Sequence, residues 1–164
     1  MPDDEDEELC RPDGLFRGGL VLPPRHSRVL LGLSSLSLLA GLFAIARGHE
    51  ALAPVPLSVF FSSVLYWARP DHSWRRALDI AVVLAALAFQ AARALTSAGL
   101  GDARRALYFA VLGAGMACAP LSVALHRRSV AAGGRASWAS TALHGLVHVL
   151  GNVSNVVLYS GPPF

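Results

Sequence analysis

Six polar side chains recur along the last apolar stretch of the sequence, residues 137–159. They stand three or four residues apart, so on an α-helix they form one line, the polar stripe: Thr141, His144, His148, Asn152, Asn155 and Tyr159. His144 and His148 are one helical turn apart, a spacing at which two neutral imidazoles can bind one metal ion. In a bilayer, the stripe predicts hydrogen bonds that pack helices, a metal or catalytic site, or a path for protons or a solute.

Serine and aspartate residues at a similar depth could join the histidines in one site. Ser62 and Ser63 lie about one turn from the end of the second apolar block, and Asp79 lies roughly 5–8 Å inside the third. His144 lies roughly 10 Å inside the fifth block, on the same side. The sequence therefore predicts that these residue types share one half of the bilayer.

A structural role is the alternative for each of these polar side chains. Arg75 and Arg76 precede Asp79 by one turn, so an ion pair at the membrane surface would satisfy the carboxylate. A serine in a packed helix can instead bond to its own backbone, which is the alternative for Ser62 and Ser63.

The composition is that of a membrane protein. Of 164 residues, 54% are hydrophobic and 15% are charged, below the ~25% charged residues of soluble domains. The apolar residues occur in long blocks, which favours membrane helices. Every basic residue is arginine and most flank these blocks without forming a basic face, so we expect no nucleic-acid partner. Cys10 and Cys118 indicate neither a disulfide framework nor a zinc finger.

Five apolar blocks predict an all-α bundle of five transmembrane helices, the fifth being the most central because it is the most polar. The blocks cover residues 29–46, 54–67, 77–95, 103–125 and 137–159, with the second short for a span. Residues 25–160 are therefore predicted to form one membrane domain. Residues 1–24 are predicted to be a disordered tail that begins with an acidic run, and 161–164 a short C-terminal tail.

The distribution of arginine predicts the orientation. With five spans, ten arginines fall on the side of the N-terminus and four on the other. The positive-inside rule then places the N-terminus in the cytoplasm and the C-terminus outside or in a lumen. The expected partners are the lipid bilayer and, through small-residue helix faces, copies of the same chain or other membrane proteins.

The order Ser63, Asp79 and then His144-x-x-x-His148 resembles the pattern of alkaline ceramidases and adiponectin-receptor-like membrane hydrolases. That resemblance implies zinc as a cofactor and hydrolysis of a lipid amide or ester. His144 and His148 would be zinc ligands, Asp79 a third ligand or the base that orients water, and Ser63 an oxyanion donor. The chain departs from the family in having five blocks rather than seven, and Trp67 where the family has its first zinc histidine.

The loop before the third block carries a second resemblance. The string Tyr66-Trp67-x-x-Pro70-x-x-x-Trp74-Arg75-Arg76-x-Leu78-Asp79 is similar to one in small, uncharacterised multi-span membrane proteins of protists and large viruses. This implies the membrane class and no activity. The sequence thus predicts a multi-span membrane protein with a Ser/Asp/His site for metal-assisted lipid hydrolysis. The alternative is a non-enzymatic transporter or assembly subunit in which the polar stripe packs helices or passes protons.

Overall fold

The computed structural model describes residue 10 and residues 15–162, and it confirms the all-α class. The helices are α1 (Pro24–Ala46), α2 (Pro54–Trp67), α3 (Trp74–Thr96), α4 (Asp102–Gly133) and α5 (Trp138–Tyr159). The described ranges contain no β-strand; isolated bridge residues occur, among them the antiparallel pair Phe16 and Leu20. The acidic run at residues 3–8 lies outside the described residues.

Local chemistry sets the helix boundaries. Ser73 and Ser137 are N-caps: their side chains accept hydrogen bonds from the backbone N–H of Arg75 and Ser140. The fourth helix is longer than predicted. It continues past residue 125 to Gly133, and Gly134 ends it with a left-handed backbone (φ 66°) whose N–H donates to the Val130 carbonyl.

Four of the five described helices are long and apolar enough to cross a membrane, and α2 is the exception. α2 has 14 residues, or about 21 Å of helix, against roughly 30 Å of bilayer hydrocarbon. The prediction of five helices is confirmed. Only four of these five described helices are long enough for a full membrane span, so the prediction of five spans goes one further than the helix lengths support. Large apolar side chains such as Leu39, Phe61 and Leu95 are more than half exposed on the outside of the bundle. An apolar exterior on long apolar helices is compatible with a membrane-embedded protein.

The helices alternate in direction, and buried clusters mark the two ends of the bundle. At the near end, where α1 begins, Leu30 packs with Tyr66 and Trp67 at the end of α2. At the far end the helix termini and loops share one core cluster: Ala44, Leu52, Ala53, Ala94, Leu100, Tyr108, Leu158 and Tyr159. Despite its length, α2 therefore returns the chain to the near end, where the Val21 N–H bonds to the Pro70 carbonyl.

The helices form an incomplete ring. α5 packs most extensively on α4 and also on α1, while α2 packs on α1 and α3. α3 and α4 touch each other little, which leaves a gap between them. α5 contacts all four other helices: it hydrogen-bonds to His26, Gln90 and the Ser122 carbonyl, and its His144 ring packs against the ring of Trp67.

The described part of the predicted tail packs on the bundle. Residues 15–23 include a short 3-10 turn at Arg17–Gly19. The Phe16 side chain is fully buried, and its ring lies against the His126 ring of α4. Phe16, which belongs to the predicted tail, is therefore in contact with the helix bundle.

Candidate functional site

Asp79 is held by two serines across the α2–α3 hairpin. The Ser63 hydroxyl donates to Asp79 Oδ1 at 2.7 Å, and the Ser62 hydroxyl donates to the same atom at 2.9 Å. No hydrogen bond to the second carboxylate oxygen, Oδ2, is present among the described residues. Arg75, a predicted ion-pair partner of Asp79, instead pairs with Asp71 in the loop. The buried carboxylate thus faces the bundle rather than an arginine at the membrane surface.

The two histidines and Trp67 form an aromatic cluster between α5 and α2. The rings of His144 and His148 have centroids 5.5 Å apart. Trp67 meets both edge-on, with centroid distances of 5.1 Å to His144 and 6.4 Å to His148. In the described part of the chain, no side chain or backbone group hydrogen-bonds to the ring nitrogens of this pair. The indole Nε1 is buried and also lacks a hydrogen-bond partner.

The four predicted site residues line a single cavity of about 290 Å³: Ser63, Asp79, His144 and His148. Ser63 and Trp67 are one turn apart on the same face of α2 and so connect Asp79 to the histidine cluster. The structure therefore brings together residues that the sequence could place only at a common depth. Their roles as catalytic groups or ligands stay predictions.

Other members of the polar stripe bond to neighbouring helices. The Thr141 hydroxyl lies 2.6 Å from His26 Nδ1, and the Tyr159 hydroxyl accepts from Gln90 Nε2 at 2.8 Å. These two contacts match the packing interpretation at either end of α5. The centre of the stripe differs because His144 and His148 face the cavity with no described hydrogen-bond partner for their rings.

Two further groups belong to the site, although neither was assigned a catalytic or metal-binding role from the sequence. Ser62 shares Asp79 with Ser63, and its position beside Ser63 in the sequence was the available signal. Asn152 was seen only as a member of the stripe. Its Nδ2 donates to the His148 carbonyl at 2.8 Å and to Ser37 Oγ at 3.2 Å. Because a carbonyl can only accept, the Asn152 atom that bonds to it must be the amide nitrogen, Nδ2. The buried Oδ1 is then left without a partner among the described residues.

The zinc that the ceramidase-like resemblance implies does not fit the residues present. A catalytic zinc site takes three protein ligands and an open position. Among the described residues, no group of three or more His, Cys, Asp or Glu side chains is placed to hold a metal ion. At the position of the family's first zinc histidine stands the indole of Trp67, whose N–H is a donor only and cannot bind a cation through nitrogen. The His144–His148 pair alone is an incomplete site.

The walls of the cavity are mainly apolar and reach the outside through the gap between α3 and α4. Ile80 and Leu84 of α3 and Met116 of α4 line the cavity, yet they are 44%, 56% and 41% exposed. The opening is therefore flanked by apolar side chains on long apolar helices, where lipid chains would lie. Along α5 the lining runs from His144 to Asn155, or about 16 Å.

Comparison with protein-family models, curated proteins and solved structures finds no match to this chain.

Proposed function

We propose that this protein binds an amphipathic, lipid-derived molecule inside the membrane, with its polar end among Ser63, Asp79, His144 and His148. One observation carries the proposal: these four side chains line a mainly apolar cavity that opens between α3 and α4. Ligand sites in proteins combine apolar walls with a few convergent polar groups in this way. A hydrocarbon chain could enter from the bilayer without crossing water.

The cavity dimensions suit a molecule with one slender chain. Its volume of about 290 Å³ is at the lower end of the range for small-molecule sites, ~300–1,000 Å³. Its length of about 16 Å along α5 greatly exceeds the width that such a volume allows. A single alkyl or isoprenoid chain fits this shape better than a two-chain phospholipid.

Binding without hydrolysis agrees with the non-enzymatic alternative from the sequence. Metal-assisted hydrolysis needs a third metal ligand, which the described residues do not provide. The orientation belongs to the proposal too: the arginine distribution places the near end, and with it Asp79 and His144, toward the cytoplasm.

Photolabelling of a cavity variant against a matched surface variant tests the proposal. A Cβ added at Gly151, which lines the cavity, or at Gly113, which is exposed on α4, meets no atom within 4 Å. Gly151→Leu should therefore fill the cavity, while Gly113→Leu makes the same change on the outside. Both replace a mid-helix glycine, so gains in helix propensity are similar.

The probe is dodecanol that carries a diazirine near its end, added to protein in nanodiscs. We expect saturable labelling of α3, α4 and α5 residues around the cavity, at least about tenfold weaker in Gly151→Leu and unchanged in Gly113→Leu. Labelling that is equal in the wild type and both variants, or that is confined to outward-facing residues, would overturn the proposal.

A further inference from the structure

Four hydrogen-bond acceptors that line the cavity have no partner among the described residues. The hydroxyls of Ser62 and Ser63 both donate to Asp79 Oδ1, and Asp79 Oδ2 has no hydrogen-bond partner among the described residues. Asn152 Oδ1 is buried and unpaired because Nδ2 is committed to the His148 carbonyl. Each neutral imidazole, of His144 and of His148, adds one acceptor nitrogen and one N–H donor, and the Trp67 indole N–H is a further donor without a described partner. A ligand that satisfies the four acceptors must bring hydrogen-bond donors.

The cavity also lacks a positive charge to balance its carboxylate. Among the described residues that line it, none is arginine, and the sequence contains no lysine. A carboxylate without a cation in a medium of low dielectric is costly, and an anionic ligand beside Asp79 would add repulsion. A cationic ligand would remove both costs.

The remaining features select an organic cation over a metal ion. Trp67 is among the residues that line the cavity, and aromatic rings attract ammonium groups. The described residues form no metal site of three ligands. The walls beyond the polar groups are hydrocarbon, with Val83 and Leu87 on α3 and Leu112 on α4.

From these observations we infer that the cavity takes a long-chain amine, whose ammonium group lies between Asp79 and Asn152 while its alkyl chain follows α5. The inference rests on the proposed function and names its ligand class. The ammonium would donate hydrogen bonds to Asp79 Oδ2 and Asn152 Oδ1, and one imidazole nitrogen would accept a hydrogen bond from its third N–H. An alcohol of equal length would have one donor for the same acceptors, and a carboxylate would have none.

Three competitors of equal chain length test the charge preference: dodecylamine, dodecanol and dodecanoate. Each is titrated against the diazirine-bearing dodecanol in nanodiscs of uncharged phosphatidylcholine, and labelling that persists in Gly151→Leu is subtracted as non-specific. In the wild type we expect dodecylamine to displace the probe at a concentration at least about tenfold lower than dodecanol, because charge-assisted hydrogen bonds are worth more than neutral ones. Dodecanoate should be the weakest.

Two variants then assign the preference to named atoms. Asp79→Asn keeps an acceptor for the serines but removes the charge, so the advantage of the amine over the alcohol should fall to within about threefold. Asn152→Leu removes the second acceptor and should weaken the amine severalfold while leaving dodecanol unchanged. Agreement of either variant with these expectations, together with the wild-type ranking, supports the inference.

Failure of the inference is distinguishable from failure of the proposed function. Equal displacement by all three competitors in the wild type, or strongest displacement by dodecanoate, would overturn amine recognition while cavity binding stands. Stoichiometric zinc that displaces the probe from the wild type but not from the double variant His144→Ala, His148→Ala would also overturn it, in favour of a metal ion. An absence of any labelling that Gly151→Leu reduces would overturn the proposed function itself.

Discussion

Replacement of Asp79 by asparagine should stabilise the folded bundle. Its carboxylate is 9% exposed, accepts from Ser62 and Ser63, and pairs with no cation among the described residues. Asparagine is nearly the same size, and its Oδ1 can accept from the same hydroxyls. The substitution therefore removes a buried charge while it retains the hydrogen bonds that hold α2 to α3. A residue kept for ligand binding commonly lowers stability in this way.

The expected gain in the free energy of unfolding follows from the depth of Asp79 in the membrane. An aspartate at the centre of a membrane helix costs about 2.5–3.5 kcal/mol. Asp79 is the sixth residue of the 23-residue helix α3, so it lies about 7.5 Å from the start of a helix roughly 35 Å long. Asp79 is thus nearly half way to the centre of the helix, and we expect its carboxylate to cost about 1–2 kcal/mol there. Any weakening of the two hydrogen bonds offsets this by less than about 1 kcal/mol, since each contributes about 0.6 kcal/mol in membranes. The net expectation is a gain of about 1 kcal/mol.

Unfolding in mixed micelles by titration with sodium dodecyl sulfate, followed by circular dichroism, measures this difference. Asp71→Asn is the matched control, because the carboxylate of Asp71 does pair with an arginine, Arg75. A hydrogen bond from Ser73, and then the Arg75 guanidinium, lower the pKa of Asp71. This control should be less stable than the wild type, since it loses its ion pair, so the two variants should change stability in opposite directions. A loss above about 1 kcal/mol in Asp79→Asn would refute the reasoning, since it would show that a cation balances the buried carboxylate.

Two further predictions concern the far end and the orientation. Tyr159→Phe should lower the free energy of unfolding by about 0.6–1.7 kcal/mol, because Gln90 Nε2 then loses its buried acceptor. Tyr108→Phe should cost nothing, since the Tyr108 hydroxyl is buried without a described partner; equal losses in the two variants would contradict this account. Single cysteines in a cysteine-free background test the orientation with a membrane-impermeant maleimide. Ser73→Cys should react only after the membrane is permeabilised so that the reagent reaches the cytoplasmic side. Ser97→Cys should react from the opposite, outer or lumenal, side without permeabilisation. The reverse pattern would invert the proposed orientation.

Much of the architecture followed from the order of residues along the chain. Apolar runs of helix length are hard to satisfy except in a bilayer or a buried core, and prolines and glycines between them separate five helices. The polar stripe was readable because helical geometry places residues three and four apart on one face whatever the helix packs against. A common depth for Ser63, Asp79 and His144 needed only the rise per residue and the alternation of helix direction.

The sequence was less informative where a side chain had two possible hydrogen-bond or ion-pair partners within reach. Asp79 has arginines one turn away on its own helix, yet it turns to serines on α2, and Arg75 bonds back into the loop. Local spacing makes both arrangements feasible, so the choice depends on how α2 and α3 are rotated against each other. The length of α4 is a similar case. The helix continues past the predicted end of the block at residue 125, and α4 packs along α5.

What the sequence determined by itself, then, is the set of five helices, the membrane class and the inward polar face of α5, because these depend on composition and on periods fixed by backbone geometry. Only the tertiary structure decided that α3 and α4 stand apart, that the Trp67 ring packs against His144, and that Asp79 and the two histidines line one cavity. Helix rotation and spacing are collective outcomes of packing among all five helices, and no stretch of sequence specifies them alone.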